Sequence, residues 1–325
     1  MMMMVASIAS LPIESKIFYD RTTLDVGLDL LAFINACTKK RLPANIGKTI
    51  EFRRFESLGL TGTSPLTEGV TPSEDTLTIT PITAAVAQYG NYILHTDFIK
   101  NVGIDNVVAE KTRRLSENRA QVLDTLTKNV AVTGTSVRYG TGAARNLQSA
   151  ANPLTLNLVK RAVTELRANA AAPMKGMRGD MGQASGYMGI IHPNVFFDLT
   201  NDTDVKQVFQ YQDKSGIYNF KVAELGGVMW IESALAPVFA GAGASGADVY
   251  GTMIFGRDAL ACIDPSWNPV KGGYQNGGAI IKEVGSAGAA DPLNQRGSVG
   301  WKSTFAAAIL DNSFMTRIET GTAYS

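Results

Sequence analysis

Lys48-Thr-Ile-Glu-Phe-Arg-Arg-Phe55, then Gly59-Leu-Thr-Gly-Thr-Ser-Pro-Leu-Thr-Glu-Gly-Val-Thr-Pro-Ser-Glu-Asp75, then Leu77-Thr-Ile-Thr80 decide how this chain is read. The outer two stretches read as strands, and the segment between them is rich in Gly, Pro, Ser and Thr. Loops longer than about 12–15 residues without structure of their own are uncommon in a compact domain, and are usually functional or disordered. A two-stranded hairpin this long cannot bury both faces against its own core. It is shaped to lie on another molecule, and the rest of the chain points to a copy of itself.

Working outward, 325 residues allow one large or two ordinary domains with a sizeable core. Hydrophobic residues make up 45% and charged residues 18%, a globular composition rather than a disordered one. A net charge of +1 gives no global field toward nucleic acid or an anionic membrane. Cys37 and Cys262 are far apart and lack metal-ligand spacing, which excludes a disulfide framework and fits a reducing cytoplasm. The first twelve residues carry no Lys or Arg ahead of their apolar run, so no secretory signal is expected. No apolar run approaches membrane-spanning length.

Residues 1–20 show no period and read as an extended arm. Asp20 is a candidate cap for a helix over residues 24–34, whose polar face carries Asp25 and Asp29; a membrane-surface helix would carry basic residues there. The strongest helical pattern covers residues 103–130, with Ile104, Val108, Leu115, Val122, Leu126 and Val130 on one stripe. Glu110, Arg113, Arg114, Glu117, Arg119, Asp124 and Lys128 are assigned to its remaining surface. A helix of that length spans roughly 42 Å and reads as a strut. A second helix is expected over residues 155–171 and a short one over 194–200. Strands are expected at 187–193, 228–232, 248–255, 279–284, 299–309 and 314–319, with a Gly/Met-rich connector at 173–186. Gly226 to Gly300 holds 15 of the 32 glycines, so short strands there alternate with long loops in an α+β arrangement.

Signals for chemistry are few. Gly241-Ala-Gly-Ala-Ser-Gly246 satisfies the dinucleotide spacing, but a strand rather than a helix is expected after it. A nucleotide-binding enzyme resting on Gly241–Gly246 is therefore the different-class alternative. His95 and His192 stand alone, with no ligand partner at metal-binding spacing. No G-x-S-x-G nucleophile elbow occurs. No catalytic, cofactor-binding or metal residue is assigned. Basic clusters at Lys39-Lys40-Arg41, Arg53-Arg54 and Lys111/Arg113/Arg114 would give sequence-independent phosphate contacts if they faced nucleic acid, and otherwise form solvated faces.

Several ordered stretches carry a resemblance. They are Asn45-Ile-Gly-Lys-Thr-Ile-Glu-Phe-Arg-Arg-Phe55, Pro65-Leu-Thr-Glu-Gly-Val-Thr-Pro72, and Gln88-Tyr-Gly90 followed by Thr96-Asp97. Further on stand Glu224-Leu-Gly-Gly227 with Ile231-Glu232, and Asp291-Pro-Leu293 with Gly300-Trp-Lys302. Together, over about residues 20–320, the chain resembles the major capsid proteins of tailed bacteriophages with the Hong Kong 97-like fold, in the branch of N4-like podovirus coat proteins.

The resemblance implies an N-terminal arm (1–45), an E-loop hairpin (46–95), a peripheral domain with spine helix 103–131 (96–175), an axial domain (176–295), and returning C-terminal strands (296–325). It implies self-assembly as hexamers and pentamers into an icosahedral shell around double-stranded DNA, without catalysis. An encapsulin-like bacterial compartment shell is the alternative on the same fold. Implied partners are further copies, a portal, a separate scaffolding protein, packaged DNA bound non-specifically, and, left open, a decoration protein; no membrane is involved. The location implied is the virion capsid, assembled in the host bacterial cytoplasm. Arg53, Arg54, Pro65, Leu66, Glu68, Gly69 and Val70 are the expected inter-subunit contacts, and Lys39, Lys40, Arg41, Arg113 and Arg114 the expected residues near DNA. Some relatives join this hairpin to a neighbour through a lysine–asparagine isopeptide bond. No lysine lies between Thr49 and Ile99, so a non-covalent shell is expected.

Overall fold

The computed structural model describes residues 32–43, 47–59, 63–71, 74–98, 107–142, 144–174, 186–211, 224–265, 279–286 and 291–324. The expected arm up to residue 31, most of the helix expected over 24–34, the start of the expected strut and the connector at 175–185 lie outside the described residues.

A short helix, α1 (Phe33–Ala36), leads directly into β1 (Cys37–Leu42). The hairpin strands β2 (Thr49–Phe55) and β3 (Ile79–Ala85) pair antiparallel, Thr49 opposite Ala85 and Phe55 opposite Ile79. Period-two alternation gives this ladder two unlike faces. Ile50 and Phe52 pack with Leu42, Ile263, Ala306 and Ala308 on the chain's own body, while Glu51, Arg53 and Phe55 are open. After Val86 the chain runs on into β4 (Ala87–Thr96).

The long helix α2 (Val107–Val132) matches the expected strut within the described residues. It lies across a five-stranded sheet ordered β1, β11 (Leu260–Pro265), β13 (Arg296–Ile309), β12 (Ala279–Lys282), with β4 on the other side of β13. The fourteen-residue β13 organises this sheet. Its residues Arg296–Phe305 pair with β4, Ser298–Trp301 with β12, and Ala306–Ile309 with β11. Leu115 of α2 packs on Val299 and Trp301, with Val108, Val122, Tyr89 and Ile93 around them.

A second, seven-stranded sheet is ordered β5 (Val137–Tyr139), β14 (Met315–Thr320), β10 (Val249–Phe255), β6 (Tyr187–Ile191), β8 (Val228–Glu232), β7 (Glu224–Leu225), with β9 (Val238–Phe239) on β10. The helix α3 (Leu156–Ala168) covers it with Leu156, Val159, Ala162, Val163 and Leu166, all buried at helical spacing. Thr155 caps α3, its hydroxyl accepting the Leu158 N–H at 3.4 Å. His192 caps α4 (Pro193–Asn201), Nδ1 accepting the Asn194 N–H at 3.2 Å, and Pro193 opens that helix. The helix α5 (Thr203–Tyr211) follows.

Several elements escaped the sequence reading, among them β1, β11 and α5. The middle of β1 is Thr-Lys-Lys-Arg, with no apolar alternation, because it is an edge strand held by one parallel ladder to β11. β11 is a short apolar run, ambiguous by period alone. The helix α5 has too few residues for a clear stripe.

Candidate assembly surfaces

Beyond the β2–β3 ladder the described loop holds one turn, in which the Val70 N–H donates to the Thr67 carbonyl at 3.2 Å. Gly69 has φ +78°, a left-handed conformation that a side chain would strain. On either side the apolar side chains face outward: Leu66 is 76% exposed, Val70 63% and Phe55 60%, and Leu58, Leu77 and Ile79 are also exposed. Isolated exposed apolar residues are ordinary; six along one hairpin make an extended exposed apolar surface.

The two hairpin arginines separate in role. Arg53 is exposed and pairs with Glu51 at 3.0 Å. Arg54 turns inward and pairs with Glu56 and with Asp311, each at 2.7 Å, which ties the hairpin to its own body. The Thr80 hydroxyl donates to the same Glu56 carboxylate at 2.9 Å. Arg54, and after it Thr80, holds the Glu56 carboxyl below its ordinary range. Pro65, Leu66, Glu68, Gly69 and Val70 all sit on the exposed tip.

The expected DNA-facing residues form two patches rather than one. Lys39, Lys40 and Arg41 are exposed on the edge strand β1. That strand pairs with β11, which lies by the C-terminal part of α2, where the Thr127 hydroxyl is 3.8 Å from the Cys262 thiol. Arg113 is fourteen residues before Thr127 on α2, about 21 Å along its axis. Arg113 pairs with Glu117 at 3.3 Å, and Arg114 with Glu110 at 2.8 Å and Glu117 at 3.0 Å. These carboxylates neutralise much of the charge that the sequence pattern offered. Lys111 donates to the Leu94 carbonyl at 3.1 Å.

The glycine loop at 241–246 is not arranged as a phosphate cradle. The N–H groups of Gly241, Ala242, Gly243, Ala244 and Gly246 donate to Asp248, Phe239, Ala247, Gln148 and Gly243 respectively. A strand, β10, follows it. Phosphate binding at a Gly-rich turn needs free N–H groups at a helix start. Among the described residues no cluster of His, Cys, Asp and Glu is placed to hold a metal ion. None of the described helices is long and apolar enough to cross a membrane.

Two buried polar assemblies were not legible in the sequence. Asp124, assigned above to the surface of α2, is fully buried. Its carboxylate accepts the Ile34 N–H at 3.0 Å, with the N–H groups of Ala32 and Phe33 turned toward it. Burial raises the Asp124 pKa, against the opposing pull of those N–H groups. The strut is thereby clamped to the segment that leads into β1. In the seven-stranded sheet, fully buried Glu319 accepts from Arg145 at 2.6 and 2.7 Å and from Arg317 at 2.7 Å. Arg317 also donates to the carbonyls of Val132, at the end of α2, and Gly134. The Arg145 guanidinium stacks 3.6 Å above the Phe239 ring. No local spacing links positions 34 and 124, or 145 and 319.

The arrangement of hairpin, strut and two sheets recurs in solved structures. The capsid of cyanophage Pam1 superposes with a TM-score of 0.70 at 16% identity, over 100% of both chains. The capsid of Ralstonia phage GP4 gives 0.70 at 12% identity, over 98% of each. The chain has the phage capsid fold of the Hong Kong 97-like type. The holo-SrpI encapsulin of Synechococcus elongatus also superposes, at a lower TM-score of 0.59, with 8% identity over 99% of this chain and 98% of that one. No family model and no curated protein matches by sequence.

Proposed function

We propose that this protein is the major capsid protein of a tailed bacteriophage, assembling as hexamers and pentamers into an icosahedral shell around double-stranded DNA. The observation that carries the reading is the hairpin, whose outward apolar side chains, Leu66, Val70 and Phe55 among them, are exposed, on a fold shared end to end with phage capsids. Each neighbour that covers a hairpin removes apolar surface from water, so folding is completed by assembly.

In this reading residues 1–45 are the arm, 46–95 the E-loop, 96–175 the peripheral domain, 176–295 the axial domain and 296–325 the returning strands. Arg53 and the tip Pro65–Val70 contact neighbours, while Arg54 holds the hairpin's root. Lys39, Lys40 and Arg41 are the stronger candidates for phosphate contact, because Arg113 and Arg114 already have carboxylate partners. The portal, a separate scaffolding protein and packaged DNA are the proposed partners, the shell assembles in the host cytoplasm, and the role involves no catalysis.

Expression with and without a candidate scaffolding protein, sedimentation, and electron microscopy of the fast fraction test this. Hollow icosahedral particles or hexameric rings support it, and a monomer under both conditions refutes it. DNA rather than a protein cargo inside particles from infected cells distinguishes a virion from an encapsulin. Saturable nucleotide binding would revive the enzyme alternative at Gly241–Gly246.

A further inference from the structure

Cys37 and Cys262 are the only two cysteines in the chain, and the fold brings them together. Cys37 opens β1 and Cys262 lies within β11. These strands pair in parallel, with Cys37 opposite Leu260 and Cys262 opposite Lys39. Both cysteines therefore fall on one face of the sheet, two positions out of register. That face is turned to α2, whose Leu123 and Ala131 share a buried cluster with both of them. The Cys37 thiol donates to the Phe33 carbonyl at 3.5 Å, and the Cys262 sulfur lies 3.8 Å from the Thr127 hydroxyl. The two thiols are also hydrogen-bonding neighbours of each other.

The pair is chemically unequal. Contact with Cys37 holds the Cys262 thiol below its ordinary pKa against the opposing pull of burial. The same contact, with burial, pushes the Cys37 thiol up. Cys262 is thus the better nucleophile, and Cys37 keeps its proton beside it. Their position also matters to the fold. β1 is an edge strand tied to the body by one ladder, so a bond from Cys37 to Cys262 fastens it at its start. The loop so closed runs through the hairpin, α2, α3 and much of the seven-stranded sheet. Cross-links across long loops constrain the unfolded chain most. A disulfide needs its Cα atoms within about 7 Å, and an edge strand with one partner can shift along that partner to meet the need.

We propose that Cys37 and Cys262 are an oxidation site, where peroxide converts the two thiols to an intrachain disulfide that locks α1 and β1 onto β11 beneath the strut. Cys262, as thiolate, attacks one oxygen of hydrogen peroxide and the O–O bond breaks. The sulfur becomes a sulfenic acid, and the departing hydroxide takes up the thiol's proton as water. Cys37 then attacks that sulfur, gives its proton to the second departing hydroxide, and releases a second water. Two thiols lose two electrons, and one peroxide is reduced to two waters. A reducing cytoplasm keeps the pair open, and an oxidising medium closes it. The site belongs to the single subunit and stands whether or not the subunit forms a shell.

The test treats the purified, reduced full chain with hydrogen peroxide, alkylates it in denaturant and reads intact mass. Wild type loses both alkylation sites and two hydrogens, and a peptide map links Cys37 to Cys262. The oxidised chain melts roughly 3–6 °C above the reduced chain, and dithiothreitol removes the difference. Free thiol disappears at least tenfold faster in Cys37→Ser than in Cys262→Ser, because the first keeps the attacking sulfur with a hydroxyl to donate to it. Where a serine variant folds poorly, the comparison of oxidised with reduced wild type decides. Two thiols that still alkylate, a bond between chains rather than within one, or a linked chain that melts no higher overturns the proposal.

Discussion

Leu66→Ser isolates what the hairpin tip contributes to assembly from what it contributes to folding. Leu66 is 76% exposed in the single chain, so its loss removes little from the subunit. Fully burying a leucine side chain stabilises by about 1.5–3 kcal/mol. With three quarters of that surface still open, a covering neighbour gains about 1–2 kcal/mol from this residue. In a head-to-tail ring every subunit inserts one tip, so each subunit added to a shell loses that amount once. At 1.4 kcal/mol per tenfold, the subunit concentration at which shells appear rises about 5–30-fold. Sedimentation of shells across a dilution series reads the threshold, and a thermal melt of the unassembled fraction reads folding. The expected melt shift is under about 1 °C, since exposed substitutions stay within ~0.5 kcal/mol. An unchanged threshold, or a melt that falls as much as assembly does, refutes the claim that the tip is an interface residue.

Three further outcomes are expected. Glu319→Ala strands the buried Arg317 guanidinium and costs about 3–5 kcal/mol, lowering the melting temperature roughly 4–7 °C. Glu165→Ala, which breaks only the half-exposed pair with Arg138, costs about 0–1 kcal/mol; equal shifts for the two would contradict the assignment. The raised Asp124 pKa makes its stability contribution complete below the ordinary value of 3.8 and lost as pH rises through the higher folded value. Wild type therefore exceeds Asp124→Asn by more at pH 4 than at pH 7 in melts of both, and a difference flat with pH would reject this. Because no lysine lies between Thr49 and Ile99, purified shells boiled in denaturant run as monomer, and a high-mass ladder would show a covalent link instead.

Regular local patterns made much of this molecule readable before its structure. The helical stripe of α2, the buried face of α3, the apolar runs at β6, β8 and β10 and the Gly/Pro-rich tip between β2 and β3 each lie within one short window. Backbone periodicity converts such windows directly into faces. The exposure of the tip was legible for the same reason, since a long polar loop on a two-stranded ladder has nothing of its own to cover it.

Other features depended on which distant segments meet. Arg53 and Arg54 look equivalent in sequence, yet the alternation of β2 sends one to solvent and the other to Asp311. Asp124 looks like a surface residue of a helix until residues 32–34 place their N–H groups over it. Tyr92, Ile280 and Gly300 come side by side because β4 and β12 flank β13, an adjacency that no local period encodes. The sequence by itself determined the hairpin, the strut and the absence of a lysine to cross-link them. Only the tertiary structure decided which charges are neutralised and which carboxylates are buried, because those are set by long-range strand order.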